Sequence, residues 1–95
     1  MSWYVVVVEM AVRADAEEQI ARVFAGPFIA AISAQEGFQS VELLKPSKGQ
    51  DYLLVIAFSE RSLQERWVGT DLHTEVWSAM EETFSRFHVR SFHTV

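Results

Sequence analysis

Without a single cysteine, this 95-residue chain has no thiolate to act as a nucleophile or metal ligand, and it can form no disulfide. Proton transfer at neutral pH then falls to three histidines, His73, His88 and His93, because an imidazole with an ordinary pKa of about 6.5 changes charge near physiological pH. His73 differs from the other two in its neighbours. At helical spacing it shares a face with Leu72, Val76, Trp77, Met80 and Phe84, and Trp67 stands six residues before it. That makes it the leading general-base candidate, set among Trp67, Trp77 and Phe84. The same placement also suits a partly buried, hydrogen-bonded histidine with no catalytic duty. His88 and His93 fall on opposite faces of the last strand beside Arg86 and Arg90, a pattern that reads as a solvated edge, and no metal site is expected from them.

Glu9 is the second candidate, because it interrupts an otherwise apolar strand. A carboxylate buried without partners is costly, so Glu9 must meet solvent, a cation or a proton-sharing neighbour. As a pocket carboxylate it would compete with His73 as the base. As a structural group it would pair with an arginine of the last strand or of a second copy. Phe24 and Phe28 stand one helical turn apart and are expected to face the sheet. Together with Trp67, Trp77 and Phe84 they would either wall a pocket for a small aromatic molecule or fill the core.

The elements that position these residues follow from hydrophobic period. Residues 3–12 are β-branched or aromatic at nearly every position and predict a strand buried on both faces. Asp15 with Glu18 reads as a capping box, and Ile20, Val23, Phe24, Phe28, Ala31 and Ile32 then recur at helical spacing up to Gly37, with a kink expected at Gly26-Pro27. Phe38–Leu44 and Tyr52–Phe58 read as a hairpin joined through Lys45-Pro46-Ser47-Lys48-Gly49. Ser62 with Glu65 suggests a second capping box for a short helix ending near Gly69. Thr70 caps a further helix over 71–85, and Phe87–Val95 alternates as a fourth strand. The order β-α-β-β-α-β predicts one α+β domain over 1–95 of the ferredoxin-like type, a four-stranded antiparallel sheet with its helices on one face and strands one and three at the centre.

Two central strands that are apolar on both faces leave one side of such a sheet uncovered, and the chain has no spare loop to cover it. A homodimer packed sheet to sheet is therefore expected. The composition agrees, at 49% hydrophobic and 22% charged. Net charge is −5 and the eight basic residues are scattered, so nucleic acid is not an expected partner. No apolar run approaches a membrane span, and Met1-Ser2-Trp3-Tyr4 enters the first strand without a basic leader, so a cytoplasmic protein with no membrane partner is expected.

Several of these segments resemble the antibiotic biosynthesis monooxygenase (ABM) domains: Val8-Glu9-Met10-Ala11-Val12, the Glu36-Gly37-Phe38 turn, and Tyr52 to Ser59 leading into Leu63-x-x-x-Trp67-x-x-Thr70. The resemblance covers nearly the whole chain and implies the dimeric α+β barrel that this family shares with heme-degrading monooxygenases. It also implies oxygenation of an electron-rich aromatic, quinol- or anthrone-like, without a cofactor. The heme-degrading branch combines an asparagine on strand one, a tryptophan on the short helix and a proximal histidine ten residues beyond it. Here Trp67 is kept, but Val7 or Val8 stands in place of the asparagine and Trp77 in place of the histidine. An indole nitrogen has no in-plane lone pair for iron, so heme binding is disfavoured, with His73 one turn earlier as the one substitute ligand. The alternative to an oxygenase is a ligand-binding or structural homodimer with no chemistry.

Overall fold

The computed structural model describes residues 2–95, and Met1 lies outside them. β1 (Tyr4–Val12) and β3 (Asp51–Phe58) pair antiparallel at the centre of a four-stranded sheet ordered β2–β3–β1–β4, with β2 (Phe38–Leu44) and β4 (Phe84–His93) at its edges. The two uninterrupted apolar segments thus occupy the two positions that hydrogen-bond on both sides. Register sorts their side chains: Val8 lies opposite Leu54 and Val89, and Met10 opposite Tyr52 and Phe87. Val6, Val8, Met10, Leu54, Ile56 and Phe58 are buried on the face that the helices cover.

Three helical segments cover that face. The first is a bent rod made of α1 (Glu17–Val23), a π-turn (Phe24–Phe28) and α2 (Ile29–Ser33), followed later in the chain by α3 (Arg61–Val68) and α4 (Asp71–Glu81). The bend expected at Gly26-Pro27 takes the form of the π-turn. Pro27 has no N–H to give, and the N–H of Ile29 reaches back to the carbonyl of Phe24, five residues earlier. The extra residue has a consequence for packing. At about 100° per residue, a straight helix would leave Ile20 and Ile32 about 120° apart, and one inserted residue removes most of that offset. Ile20, Phe28 and Ile32 are all fully buried in the same core.

Several boundaries differ from the sequence expectation. The Asp15–Glu18 capping box does not form. Asp15 sits inside a 3₁₀ turn, Ala14–Ala16, closed by the Ala16 N–H on the Arg13 carbonyl at 2.9 Å, and α1 starts without a side-chain cap. The Ser62–Glu65 box is also absent, because α3 begins at Arg61 and Glu65 is drawn into an i, i+4 pair with Arg61 at 3.5 Å. α4 stops at Glu81 instead of running to residue 85. The Thr83 hydroxyl donates to the Met80 carbonyl at 2.6 Å and closes the helix end, so Phe84 opens β4 opposite Val12. A bulge between Met10 and Val12 then lets Phe84 and Phe87, three apart, both pack on Trp77.

The rod is tied down at its start. Buried Tyr52 donates to Glu17 Oε1 at 3.2 Å, and Glu17 in turn pairs with Lys45 at 3.4 Å, which fastens α1 to the β2–β3 hairpin. Burial, reinforced by the Glu17 hydrogen bond, raises the Tyr52 pKa, so this phenol stays a donor at every physiological pH. Gly37 enters β2 at φ +84°, and a Cβ there would collide with the Leu63 side chain of α3, which leaves glycine as the residue that fits.

The other sheet face carries Val5, Val7, Leu53, Val55, Ala57 and Phe92, with Glu9, Glu42, His88 and Arg90 among them. No helix lies over it. Phe92 keeps 44% of its surface exposed, with the Arg90 guanidinium 5.5 Å from its ring centre. Among the described residues no helix is long and apolar enough to cross a membrane.

Candidate active site

Where α3 and α4 meet the sheet, they leave an apolar cleft of about 240 Å³. Its floor is made of buried side chains: Val6 and Val8 of β1, Ile56 of β3, Phe28 from the π-turn and Trp67 near the end of α3. Its rim is made of half-buried or exposed ones, Gln64 and Val68 on α3, His73 and Trp77 on α4, and Phe87 and Val89 on β4. His73 is the single group on this lining that titrates near neutrality.

Local sequence explains how the histidine is aimed. The Thr70 hydroxyl accepts the His73 backbone N–H at 3.1 Å and donates to the Trp67 carbonyl at 2.8 Å, so one side chain joins the end of α3 to the first turn of α4. The imidazole is thereby held between two indoles. Trp67 meets it edge-on at 5.1 Å between centroids with an interplanar angle of 88°, and Trp77 lies nearly parallel to it at 6.2 Å and 10°. Burial in this setting lowers the His73 pKa below its ordinary 6.5, so the ring is neutral and basic at pH 7. Phe84 and Phe87 back Trp77 at 5.7 and 5.6 Å and fix its orientation.

The seven candidate side chains therefore separate. His73, Trp67, Trp77 and Phe28 converge on the cleft. Phe24 stacks on Phe28 at 6.0 Å from outside the lining, and Phe84 is buried behind Trp77. Glu9 lies across the sheet. It is exposed on the uncovered face opposite His88 and Leu53, beside a shallow recess of about 70 Å³ that it shares with Asp51 and Arg86. Seven of the eleven lining residues were not among the sequence candidates: Val6, Val8 and Ile56 read only as strand core, and Gln64, Val68, Phe87 and Val89 were not singled out. Phe87 and Val89 alternate with His88 and Arg90, which was the available signal that they face the helices, whereas Gln64 and Val68 carried no comparable one.

A family model for antibiotic biosynthesis monooxygenase matches residues 3–89. The chain belongs to the ABM family. Three solved structures show how well this ABM chain keeps the fold at low identity. A Bordetella bronchiseptica protein named for the same family has 15% identity and a TM-score of 0.89, covering 100% of this chain and 99% of that one. A Caulobacter crescentus protein, likewise named, has 16% identity and a TM-score of 0.86, covering 99% and 91%. SnoaB from Streptomyces nogalater, a cofactor-independent oxygenase, has 19% identity and a TM-score of 0.84, covering 97% and 92%. No curated protein sequence matches the chain. The ferredoxin-like α+β fold is thus that of the ABM structures.

Heme does not fit this ABM cleft. Its volume of about 240 Å³ falls below even the roughly 300–1,000 Å³ typical of drug-sized ligands. His73 is enclosed by two indoles, and the indole of Trp77 beside it offers iron no in-plane lone pair. Titration with hemin is accordingly expected to give no histidine-ligated Soret band. A tight one-to-one complex whose band disappears in His73→Ala would establish the opposite.

Proposed function

We propose that this ABM chain is a cofactor-independent monooxygenase that oxidises an electron-rich aromatic, quinol- or anthrone-like, in the cleft between α3, α4 and the sheet. The observation that carries the reading is the neutral imidazole of His73 fixed between Trp67 and Trp77 at the mouth of an apolar cleft. The SnoaB likeness supports the absence of a cofactor.

The chemistry asked of the protein is modest. The imidazole takes an acidic proton from the substrate, a phenolic O–H or the methylene C–H of an anthrone. The resulting anion is electron-rich enough to reduce dioxygen itself, and the two combine as a peroxide. For a methylene substrate, protonated His73 returns its proton, and loss of water leaves a carbonyl: R₂CH₂ and O₂ become R₂CO and H₂O. The indoles hold the ring plane and keep bulk water from the peroxide. Oxygen uptake under ¹⁸O₂ with an anthrone tests this. One labelled oxygen is expected in the product and one in water. Saturable binding of aromatics without any oxygen uptake would instead make the protein a ligand-binding module.

We place a second copy of the chain on the uncovered sheet face. The observations behind this are the apolar side chains there, Val5, Val7, Leu53, Val55 and Phe92, and the acidic and basic groups interspersed with them, which a two-fold axis can pair. Light scattering at micromolar concentration is expected to give twice the 10.9 kDa of one chain. A monodisperse species at 10.9 kDa would remove the dimer.

A further inference from the structure

We infer that the cleft encloses no more than two fused rings of a planar aromatic, any further ring projecting past the rim, and that Phe28, placed on its floor by the π-turn, is the residue that sets this limit. The inference rests on reading the cleft as the substrate site and adds its size class.

Volume gives the class. An apolar cavity of about 150 Å³ accommodates benzene, so scaling by ring carbons puts a two-ring system at about 250 Å³, a three-ring system at about 350 Å³ and heme far beyond. The cleft measures about 240 Å³. A third ring would have to project past the rim, where Phe87 and Val89 are 45% and 50% exposed and offer little further enclosure. Polarity agrees with a ligand that is apolar over most of its area and carries its oxygens at one end. Apart from the two indoles, the polar side chains on the lining are Gln64 and His73, and both belong to the rim.

Phe28 closes the floor. It is 1% exposed, lines the cleft, and is braced from behind by Phe24 at 6.0 Å and 25°. Without the residue inserted at the π-turn, an advance of about 100° per residue would carry Phe28 about 80° away from the direction of Ile20. With it, Phe28 points between β1 and α3. The neighbouring Gly26 has open space around it and Pro27 is exposed, so packing at these two residues does not impose the wider turn, whereas the missing N–H of Pro27 favours it.

The test is a ring series, phenol, 2-naphthol and 2-anthrol, titrated by calorimetry under argon so that binding is read without turnover. For the wild type, naphthol is expected at least ten-fold tighter than phenol, and anthrol within three-fold of naphthol. Phe28→Ala frees about 100 Å³, roughly one ring, and is expected to make anthrol at least ten-fold tighter than naphthol. Anthrol ten-fold tighter than naphthol in the wild type would overturn the size class. An unchanged ratio in a folded Phe28→Ala protein, checked by circular dichroism, would remove Phe28 from its role. Should that variant not fold, Phe28→Val carries the same comparison, and the wild-type series decides the size class alone. Absence of oxygen uptake with the ring ranking intact would count against the oxygenase reading and leave this inference standing.

Discussion

Replacing His73 with alanine is expected to lower kcat at least about 10²-fold, the contribution typical of a positioned general base. The dimer and the binding of a two-ring aromatic should survive, because the imidazole is half-buried on the rim and the floor residues are elsewhere. The wild-type pH profile carries an independent signature. Burial holds the His73 pKa below 6.5, so the rate should be level through neutrality and fall only on the acid side of 6.5. The sign for stability is the same. A pKa lower in the folded than in the unfolded state means that the unfolded chain binds more protons, so stability too declines as pH drops through 6.5 and below. Circular dichroism across the same range separates the two effects. Glu9→Gln tests the other base candidate, the carboxylate, since the sheet lies between Glu9 and the cleft and the acid limb should persist. Loss of that limb in Glu9→Gln, or full activity in His73→Ala, would remove His73 as the base.

The sheet was legible because its signal is long and redundant. Two uninterrupted apolar runs, Val5–Val8 and Leu53–Ile56, marked the central strands, and their pairing followed from chain order. Helix ends were not legible, because a short polar residue near a helix start is only a candidate cap. Of the three caps expected from sequence, Thr70 forms one, while Asp15 and Glu65 turn to arginines instead. The end of α4 was misjudged for a related reason. Phe84 continues the apolar period of Trp77 and Met80, and only the buried Thr83, which closes the turn through its hydroxyl, shows where the helix stops. The cleft was half visible: apolar period placed His73 and Trp77 on one face, but whether Phe24, Phe28 or Phe84 borders empty space depends on the π-turn and the β4 bulge. Each inserts one residue, and a periodic reading has no means of registering it.

Trp67→Ala is expected to produce the largest loss of stability of any single change near the site. Truncating a buried tryptophan costs about 3–5 kcal/mol, and a domain of this length has on the order of 5–14 kcal/mol in total. Trp67 is 2% exposed and belongs to the main core, so its indole supports β1 and β3 from the α3 side as well as flooring the cleft. Its carbonyl also accepts the Thr70 hydroxyl that starts α4, and a collapsed α3 would misplace His73 as well. One circumstance limits the loss: the indole borders the cleft, so neighbouring side chains have room to relax into the vacated volume, which places the expected cost at the lower end, about 3 kcal/mol. For a chain of this size that corresponds to a fall in Tm on the order of 15–20 °C. Urea melts at a fixed protomer concentration measure it without the concentration dependence of a dimer. Trp67→Phe should keep the fold at a smaller cost and lose the edge-on contact with His73, so that His73 moves its acid limb while Tm changes little. A Trp67→Ala protein within 1 kcal/mol of wild type would mean that the indole only walls the cleft, and that α3 is held to the sheet by Leu63 and the Gly37 turn instead.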